Sequence, residues 1–141
     1  MRVGGAHAPL RSAGCTCGPP PPAQRACERS SDWRRVPECL TREFILGYFD
    51  GDGFVTSHRL PSGLYPYLGI VSGSRDFLEA VARAVEQGCG VAIGGPWRMG
   101  TSNCYVIRAA GRRARVIDDW LHQGGMGLAR KRIAALMRAT T

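Results

Sequence analysis

The segment Phe44–Val55, which reads FILGYFDGDGFV, constrains the fold of this chain more than any other stretch. Gly47, Gly51 and Gly53 interrupt its apolar residues, although a glycine inside a helix costs about 1 kcal/mol relative to alanine. Gly47 and Gly51 are four residues apart, so a helix places them on one face, where a second backbone can approach closely. Thr41 is a plausible N-cap and Glu43 lies in the first turn, so we predict a helix from Arg42 to about Gly51. Its glycine face would pack against another helix.

Two carboxylates, Asp50 and Asp52, lie where this helix is predicted to end. The helix dipole disfavours a carboxylate at this end unless a cation compensates it, and a divalent metal ion would do so. The DGDG sequence does not fit an EF-hand loop, because Phe54 stands where an oxygen ligand is required and no glutamate ends the loop. A plain structural turn is the alternative, since Asp and Gly are common turn residues.

The charge of the chain favours a polyanionic partner. Its 141 residues include 19 Lys and Arg against 11 Asp and Glu, which gives a net charge of +8. The basic residues are arginine except for Lys131, so an arginine-rich coding sequence is the alternative explanation. No stretch approaches the roughly 20 apolar residues of a membrane span, and the N-terminus lacks the apolar core of a secretory signal. We expect a cytoplasmic protein without a membrane partner.

The composition divides the chain near residue 40. Residues 1–40 are rich in Pro, Gly, Ser and Arg and have no apolar periodicity, so we predict a disordered, low-complexity segment. Its cysteines, Cys15, Cys17, Cys27 and Cys39, do not have a usual zinc-finger spacing. Residues 41–141 have apolar runs separated by turn signals, which predicts one domain.

Alternation and turn signals predict the elements of that domain. FVTSHRL and LYPYLGIVS alternate as two strands joined across PSG. SRDFLEAVARAVEQG has the spacing of an amphipathic helix capped by Ser74 and ended by Gly88. GVAIGG is predicted as a short strand, PWRMGTS as a loop, NCYVIRA as a strand, and RRARVIDDWLHQ and GLARKRIAALMRA as helices. The predicted fold class is α+β, in the order α-β-β-α-β-β-α with an extra C-terminal helix.

The segment Ile45–Gly53, ILGYFDGDG, resembles the motif that names the LAGLIDADG homing endonucleases. The predicted element order is similar to that family's core and spans Arg42 to Arg138. GLARKR, from Gly127 to Arg132, is similar to the start of the family's last helix. The resemblance implies a LAGLIDADG core with a mixed or antiparallel DNA-binding sheet, and a sequence-specific endonuclease of a mobile genetic element that cuts both DNA strands.

The resemblance also implies roles for the residues at the motif. Asp52 would hold Mg²⁺ or another divalent cation at the scissile phosphate, with the Gly51 backbone beside it. Asp50 would be an interface residue together with Gly47 and Gly51. Lys131 would be the active-site lysine, which stabilises charge on the phosphate or orients the water. The alternative for Lys131 is an ordinary solvated helix residue.

A single motif in one chain implies a homodimer that acts on double-stranded DNA with a near-palindromic target. The sheet would read the DNA, because strands present alternate residues to one face and a β-ribbon fits the major groove. On this basis the predicted DNA-binding residues of the strands are Thr56, His58, Cys104, Val106 and Arg108. Arg98, in the predicted loop between the last two strands, is expected to reach base edges or the DNA backbone.

Some features depart from the family pattern. Leu46 stands where the family often has a small residue, and the predicted reading face has few polar side chains. Three alternatives therefore remain. One is a DNA-binding protein or transcriptional regulator that does not cleave, another is a decayed enzyme, and the third is half of a larger protein with two motifs.

Overall fold

The computed structural model describes residues 35–140, which contain one four-stranded antiparallel sheet and four α helices. In chain order the elements are α1 (Thr41–Asp52), β1 (Gly53–Leu60), β2 (Gly63–Ser72), α2 (Arg75–Cys89), β3 (Gly94–Arg98), β4 (Tyr105–Ala110), α3 (Gly111–Leu121) and α4 (Ile133–Ala139). Short 3-10 helices cover Glu38–Leu40 and Ala129–Lys131. The predicted order α-β-β-α-β-β-α, with an extra C-terminal helix, is confirmed. Most of the predicted disordered segment 1–40, with Cys15, Cys17 and Cys27, lies outside the described residues.

The sheet has one face covered by helices and one face open. Its strand order is β1-β2-β4-β3, and all neighbouring strands are antiparallel. Val55 pairs with Leu68, and Ile70 pairs with Ile107, so these side chains share the covered face. We call the opposite face the outer face. Its residues from the four strands include Phe54, Thr56, His58, Tyr65, Tyr67, Gly69, Trp97, Val106 and Arg108.

The core lies between the covered face and helices α1, α2 and α3. The helices contribute Ile45, Leu46, Phe49, Phe77, Leu78, Val81, Val85, Ala114, Ile117 and Leu121, all of them buried. Each large apolar side chain buried in this way contributes about 1.5–3 kcal/mol. Because α1 places Ile45, Leu46 and Phe49 in the core, its opposite side is directed to solvent.

The end of α2 differs from the prediction by two residues. Ser74 caps the helix as predicted, since its hydroxyl accepts from Phe77 N at 3.2 Å. The helix continues past Gly88 to Cys89, and the residue that caps it is Gly90, which has a left-handed φ of 73°. Gly88 lies inside the helix, and a Cβ at this position would overlap the Trp120 ring. The glycine therefore permits contact between α2 and α3.

The third strand lies further along the chain than predicted. It covers Gly94–Arg98 and so includes residues that were expected to form a loop. Val91 and Ile93 precede it without strand pairing, and Ile93 is buried in the core. The apolar run GVAIGG therefore indicated burial and not a strand, which sequence periodicity does not distinguish in so short a run.

The predicted last helix is divided into two short pieces. The 3-10 helix Ala129–Lys131 is followed by Arg132 in an extended conformation, and only then does α4 begin at Ile133. The division follows from hydrogen bonds to distant residues, because Asp50 and Asp118 accept from the backbone amides of Leu128 and Ile133. Lys131 therefore ends a short 3-10 helix and does not lie within an α helix.

Asp118 and His122 form a buried polar pair between α3 and α4. His122 Nδ1 lies 2.8 Å from the backbone carbonyl oxygen of Asp118 and 3.3 Å from the side-chain Oδ1 of Asp118. The other carboxylate oxygen, Asp118 Oδ2, accepts from Ile133 N at 3.2 Å. Burial raises the pKa of the Asp118 carboxyl, while the nearby charges of His122 and Arg132 act to lower it. The pair fixes the start of α4 on the end of α3.

None of the helices in residues 35–140 has the length and apolar character needed to cross a membrane.

We predict that Asp118→Asn removes a pH dependence of stability. The pKa of this carboxyl in the folded chain is raised above the ordinary value of 3.8, so the folded state holds the proton more tightly than the unfolded state does. The resulting stability is complete below pH 3.8 and is lost as the pH rises through the raised pKa. The free energy of unfolding of the wild type, minus that of the variant, should therefore fall with rising pH in urea titrations. A difference that stays constant or grows would contradict this prediction.

Candidate active site at the end of helix α1

Helix α1 ends with an exposed carboxylate that has no partner. Asp52 is the last residue of the helix, and the backbone N–H of the next residue, Gly53, donates to Phe49 O. Among the described residues, no hydrogen-bond or salt-bridge partner is found for the Asp52 side chain. A helix C-terminus carries partial negative charge, so this carboxylate lies at an end that is already electronegative. The arrangement favours a cation close to Asp52.

The ammonium group of Lys131 partly meets this demand. Its Nζ donates to the carbonyl oxygens of Phe49 at 3.0 Å, Gly51 at 3.3 Å and Gly53 at 2.7 Å. The Nζ also lies 5.9 Å from the centre of the Phe49 ring. An ammonium group has three protons, and here each has a carbonyl acceptor. Lys131 thus binds the last turn of α1 and offsets its dipole. In this structure its ammonium is bound to the protein, whereas the alternative interpretation was an ordinary solvated residue.

Asp50 has a different environment from Asp52. Both of its carboxylate oxygens lie 3.1 Å from Leu128 N, which donates to them across 78 residues of chain. Gly127, with a φ of 93°, brings this amide into position, and a Cβ there would approach Leu46 Cδ1 at 2.8 Å. Asp50 therefore anchors the loop that carries Lys131. This contact was not predicted from the sequence, because it joins residues that are far apart in the chain.

Gly47 and Gly51 lie on the exposed side of α1, as the four-residue spacing predicts. A Cβ built on either glycine meets nothing within 4 Å in the described chain. Packing inside residues 35–140 therefore does not require these glycines.

The donor set for a metal ion is small. No group of three or more His, Cys, Asp or Glu side chains that could hold a metal occurs in residues 35–140. A lone carboxylate fits Mg²⁺, which commonly binds through one or two carboxylates and completes its shell with water and substrate phosphate. The Gly51 carbonyl, predicted to lie at the metal, accepts from Lys131 at 3.3 Å and keeps a second lone pair. Its role at a metal stays a prediction, beside the carboxylate of Asp52.

Four of the six predicted DNA-binding residues lie together on the outer face. Thr56 and His58 are exposed on β1, and Val106 and Arg108 lie on β4. Their common face follows from the register, in which Thr56 pairs with Tyr67, itself the partner of Ala110 on β4. The predicted alternation of these strands is therefore confirmed as geometry, while contact with DNA stays a prediction.

The remaining two predicted residues lie elsewhere. Arg98 pairs with Tyr105, so it belongs to the other face of the sheet. Its guanidinium donates to Ser102 O at 3.1 Å and to Thr101 O at 3.3 Å, which holds the turn between β3 and β4. Cys104 precedes β4, is half-buried, and accepts from Met99 N at its carbonyl oxygen. In this structure both residues shape the hairpin.

The outer face also has residues that the sequence prediction missed. Trp97 lies on it with half of its surface exposed, and Arg108 Cζ is 5.3 Å from the centre of the Trp97 ring. Trp97 and Arg108 line a cavity on this face, and Arg112 and Arg113 in the first turn of α3 line it as well. Trp97 was missed because β3 was predicted too early in the chain. The adjacent pair of arginines was a visible signal, but its place beside the sheet depends on the fold.

No protein-family model and no curated protein matches the chain. Two solved structures are similar to it in fold. One is the homing endonuclease I-CvuI in complex with the I-CreI target in the presence of 2 mM Mg, with the DNA not cleaved, at 11% identity and a TM-score of 0.45 over 61% of this chain and 57% of that one. The other is the homing endonuclease I-TnaI, at 19% identity and a TM-score of 0.44 over 65% and 64%.

The chain spans 57% of the length of the first of these structures and 64% of the length of the second. At this identity the likeness concerns the fold alone.

We predict that Lys131→Met destabilises the chain even without DNA. The variant leaves three backbone carbonyls without their donor, and loss of hydrogen bonds to a charged group costs about 1.5–3 kcal/mol. Arg130→Met is the matched control, because Arg130 is an exposed neighbour and surface changes of this kind stay within about 0.5 kcal/mol. The measurement is the free energy of unfolding in urea. Equal values for the two variants would show that Lys131 does not stabilise the end of α1.

Proposed function

We propose that the chain is a divalent-metal-dependent, sequence-specific endonuclease of the LAGLIDADG homing class that cuts both strands of DNA as a homodimer. The observation that carries the proposal is the free carboxylate of Asp52 at an electronegative helix end. It lies on the same helix as the exposed glycine face of Gly47 and Gly51.

Asp52 has the properties that a metal ligand for phosphodiester hydrolysis needs. It is exposed and unpaired, so no internal bond must be broken before it binds a cation. A bound Mg²⁺ ion would lower the pKa of its water and neutralise charge on the phosphate. Gly53 directly after it starts β1, so the rigid sheet fixes where the carboxylate lies relative to the outer face.

The glycine face supports a two-fold dimer. Gly47 and Gly51 leave the backbone of α1 accessible from solvent, and two such helices can approach closely only where side chains are absent. A symmetric pair brings one Asp52 from each subunit to the axis, one carboxylate for each DNA strand. The site of a single chain is therefore incomplete, and the dimer supplies its second half.

We assign Lys131 a positioning role that precedes any contact with the phosphate. Its three protons are all directed to carbonyls of the α1 end. Direct contact with a phosphate or a water requires the ammonium to release one carbonyl. The positive charge at the helix end also offsets the repulsion between the dipole and Asp52.

The alternative is a DNA-binding protein or regulator of the same fold that does not cleave. The full engagement of Lys131 by carbonyls favours it, because Asp52 is then the one side chain within residues 35–140 that is free for chemistry at the end of α1. Such a protein would use the outer face and the dimer but would not need the Asp52 carboxylate. Loss of metal would leave its activity unchanged.

We predict that Asp52→Asn abolishes cleavage of a plasmid library in Mg²⁺ and leaves DNA binding largely intact, because the amide replaces the anionic ligand without changing the sheet. Asp119→Asn is the matched control, since Asp119 is an exposed acid on α3. The readout is sequencing of cut ends, with EDTA added to a parallel sample. Unchanged cleavage by Asp52→Asn would refute the proposed role of this carboxylate. If the wild type and both variants bind DNA and none of them cleaves it, the result would favour the regulator.

Gly47→Ala should have opposite effects on the monomer and the dimer. In the free chain the added Cβ meets nothing, so the change stabilises the helix by up to about 1 kcal/mol. In a dimer packed through this face, the same methyl group separates the two backbones and weakens association. Urea unfolding at low concentration measures the first effect and sedimentation velocity the second. Undiminished association would place the interface on another surface.

A further inference from the structure

An aromatic and basic pocket lies between the outer face and the start of α3. We call it the aromatic pocket and define it by Tyr65, Tyr67, Trp97, Arg108, Arg112 and Arg113. Its volume is about 660 Å³, which is within the range of small-molecule binding sites. The lining residues include three arginines and no aspartate or glutamate. The pocket therefore suits a ligand with both a flat apolar part and negative charge.

The rings of the aromatic pocket are held by contacts with one another and are partly exposed to solvent. Trp97 is 49% exposed and Tyr65 is 39% exposed, although large aromatic side chains usually gain from burial. Tyr65 and Tyr67 form an edge-to-face pair at 5.5 Å, and His58 extends this row, with its ring 4.9 Å from that of Tyr67. Arg108 lies against Trp97. These contacts hold the rings in place and leave surface for stacking.

Two glycines make room for this arrangement. A Cβ on Gly111 would approach the Tyr65 ring at 2.6 Å, and its φ of 58° is one that side chains other than glycine rarely adopt. A Cβ on Gly94 would approach the far edge of the Trp97 ring at 2.5 Å. The rings therefore lie directly against the backbone, which fixes their planes.

The lining is poorly suited to reading a paired base. Bases in a duplex cover each other's faces and present only their edges, which are read by side chains that donate and accept hydrogen bonds. Apart from the guanidinium groups, the side chains of the pocket offer only the tyrosine hydroxyls and the Trp97 indole N–H for that purpose. Aromatic rings on a four-stranded sheet instead stack on bases whose faces are free.

We propose that the aromatic pocket binds an unpaired base of a DNA strand, with the rings stacked on the base and the guanidinium groups bound to the adjacent phosphates. The choice of DNA rests on the proposed nuclease function. The pocket would then prefer an unstacked or extruded base over a paired one, while the other residues of the outer face contact the paired DNA. Arg112 and Arg113, exposed beside the pocket, contact the phosphates that flank the base.

The test measures binding of a fluorescein-labelled single-stranded deoxythymidine oligonucleotide by anisotropy, in EDTA so that nothing is cut. Trp97→Ala should weaken binding by about 5- to 150-fold, the loss typical of one stacked base. Trp97→Phe keeps a ring and should restore most of the affinity. Met99→Ala is the control, because Met99 is exposed on the same hairpin but outside the pocket. Unchanged binding by a folded Trp97→Ala variant would overturn the proposal.

A second variant tests the phosphate contacts without touching the rings. Arg112→Gln with Arg113→Gln should reduce the salt slope of binding to the single strand by about 1.4, since each phosphate contact contributes about 0.7. Arg83→Gln with Arg138→Gln removes two exposed charges away from the pocket and should leave the slope nearly unchanged. Equal effects of the two pairs would mean general electrostatic attraction and would overturn the proposal.

Competition distinguishes the possible ligands. Unlabelled single-stranded DNA should displace the probe better than a perfect duplex of the same sequence does. A duplex that competes equally well would overturn binding of an unpaired base, and an RNA strand that competes better would overturn the assignment to DNA. Binding of the single strand by a protein that never cuts DNA would support this inference while removing the nuclease proposal, so the two fail separately.

Discussion

The contact between Lys131 and the last turn of α1 is the interaction on which the rest of the site depends. One ammonium group donates to the carbonyls of Phe49, Gly51 and Gly53, at the point where a helix changes directly into a strand. Without a cation at this place, the helix dipole and the Asp52 carboxylate would repel each other. The lysine also links a turn near the C-terminus to the start of the sheet, with Asp50 and Leu128 forming a second bond between the same two segments. The end of α1 is therefore held from two sides, while Asp52 itself remains free.

This arrangement separates two roles that the sequence alone does not separate. Asp50 and Asp52 are similar in the motif, but Asp50 is bound to the Leu128 amide and Asp52 has no partner in the described chain. The free carboxylate, the open glycine face and the open sheet face occur on connected elements. The proposed nuclease would use all three, with the carboxylate holding the metal, the glycines permitting the dimer and the sheet contacting the DNA. The base binding proposed for the aromatic pocket would use the same sheet face.

Much of the fold could be predicted from the sequence, because local signals decided it. Thr41 and Glu43 marked the start of α1 to within one residue, alternation located β1, β2 and β4, and Ser74 marked the start of α2. The errors occurred where distant contacts decide the structure. Ile93 is apolar because it is buried in the core, so its run was mistaken for a strand, and Trp97 was then assigned to a loop.

The last helix was predicted in one piece, since nothing local shows that Asp50 and Asp118 accept hydrogen bonds from its backbone. Arg98 was predicted in a loop, but the register places it at the end of β3 opposite Tyr105, and its guanidinium holds the hairpin turn. Its contact with DNA stays a prediction.

The proposed nuclease requires that a divalent metal binds at Asp52 when DNA is present. Iron cleavage tests this binding: Fe²⁺ replaces Mg²⁺ in a complex with duplex DNA, and added peroxide generates radicals that cut the polypeptide near the metal. Mass spectrometry then maps the cuts. We expect cuts next to Asp52 that depend on DNA, disappear in Asp52→Asn and persist in Asp119→Asn. Cuts confined to other parts of the chain, or an unchanged pattern in Asp52→Asn, would contradict it.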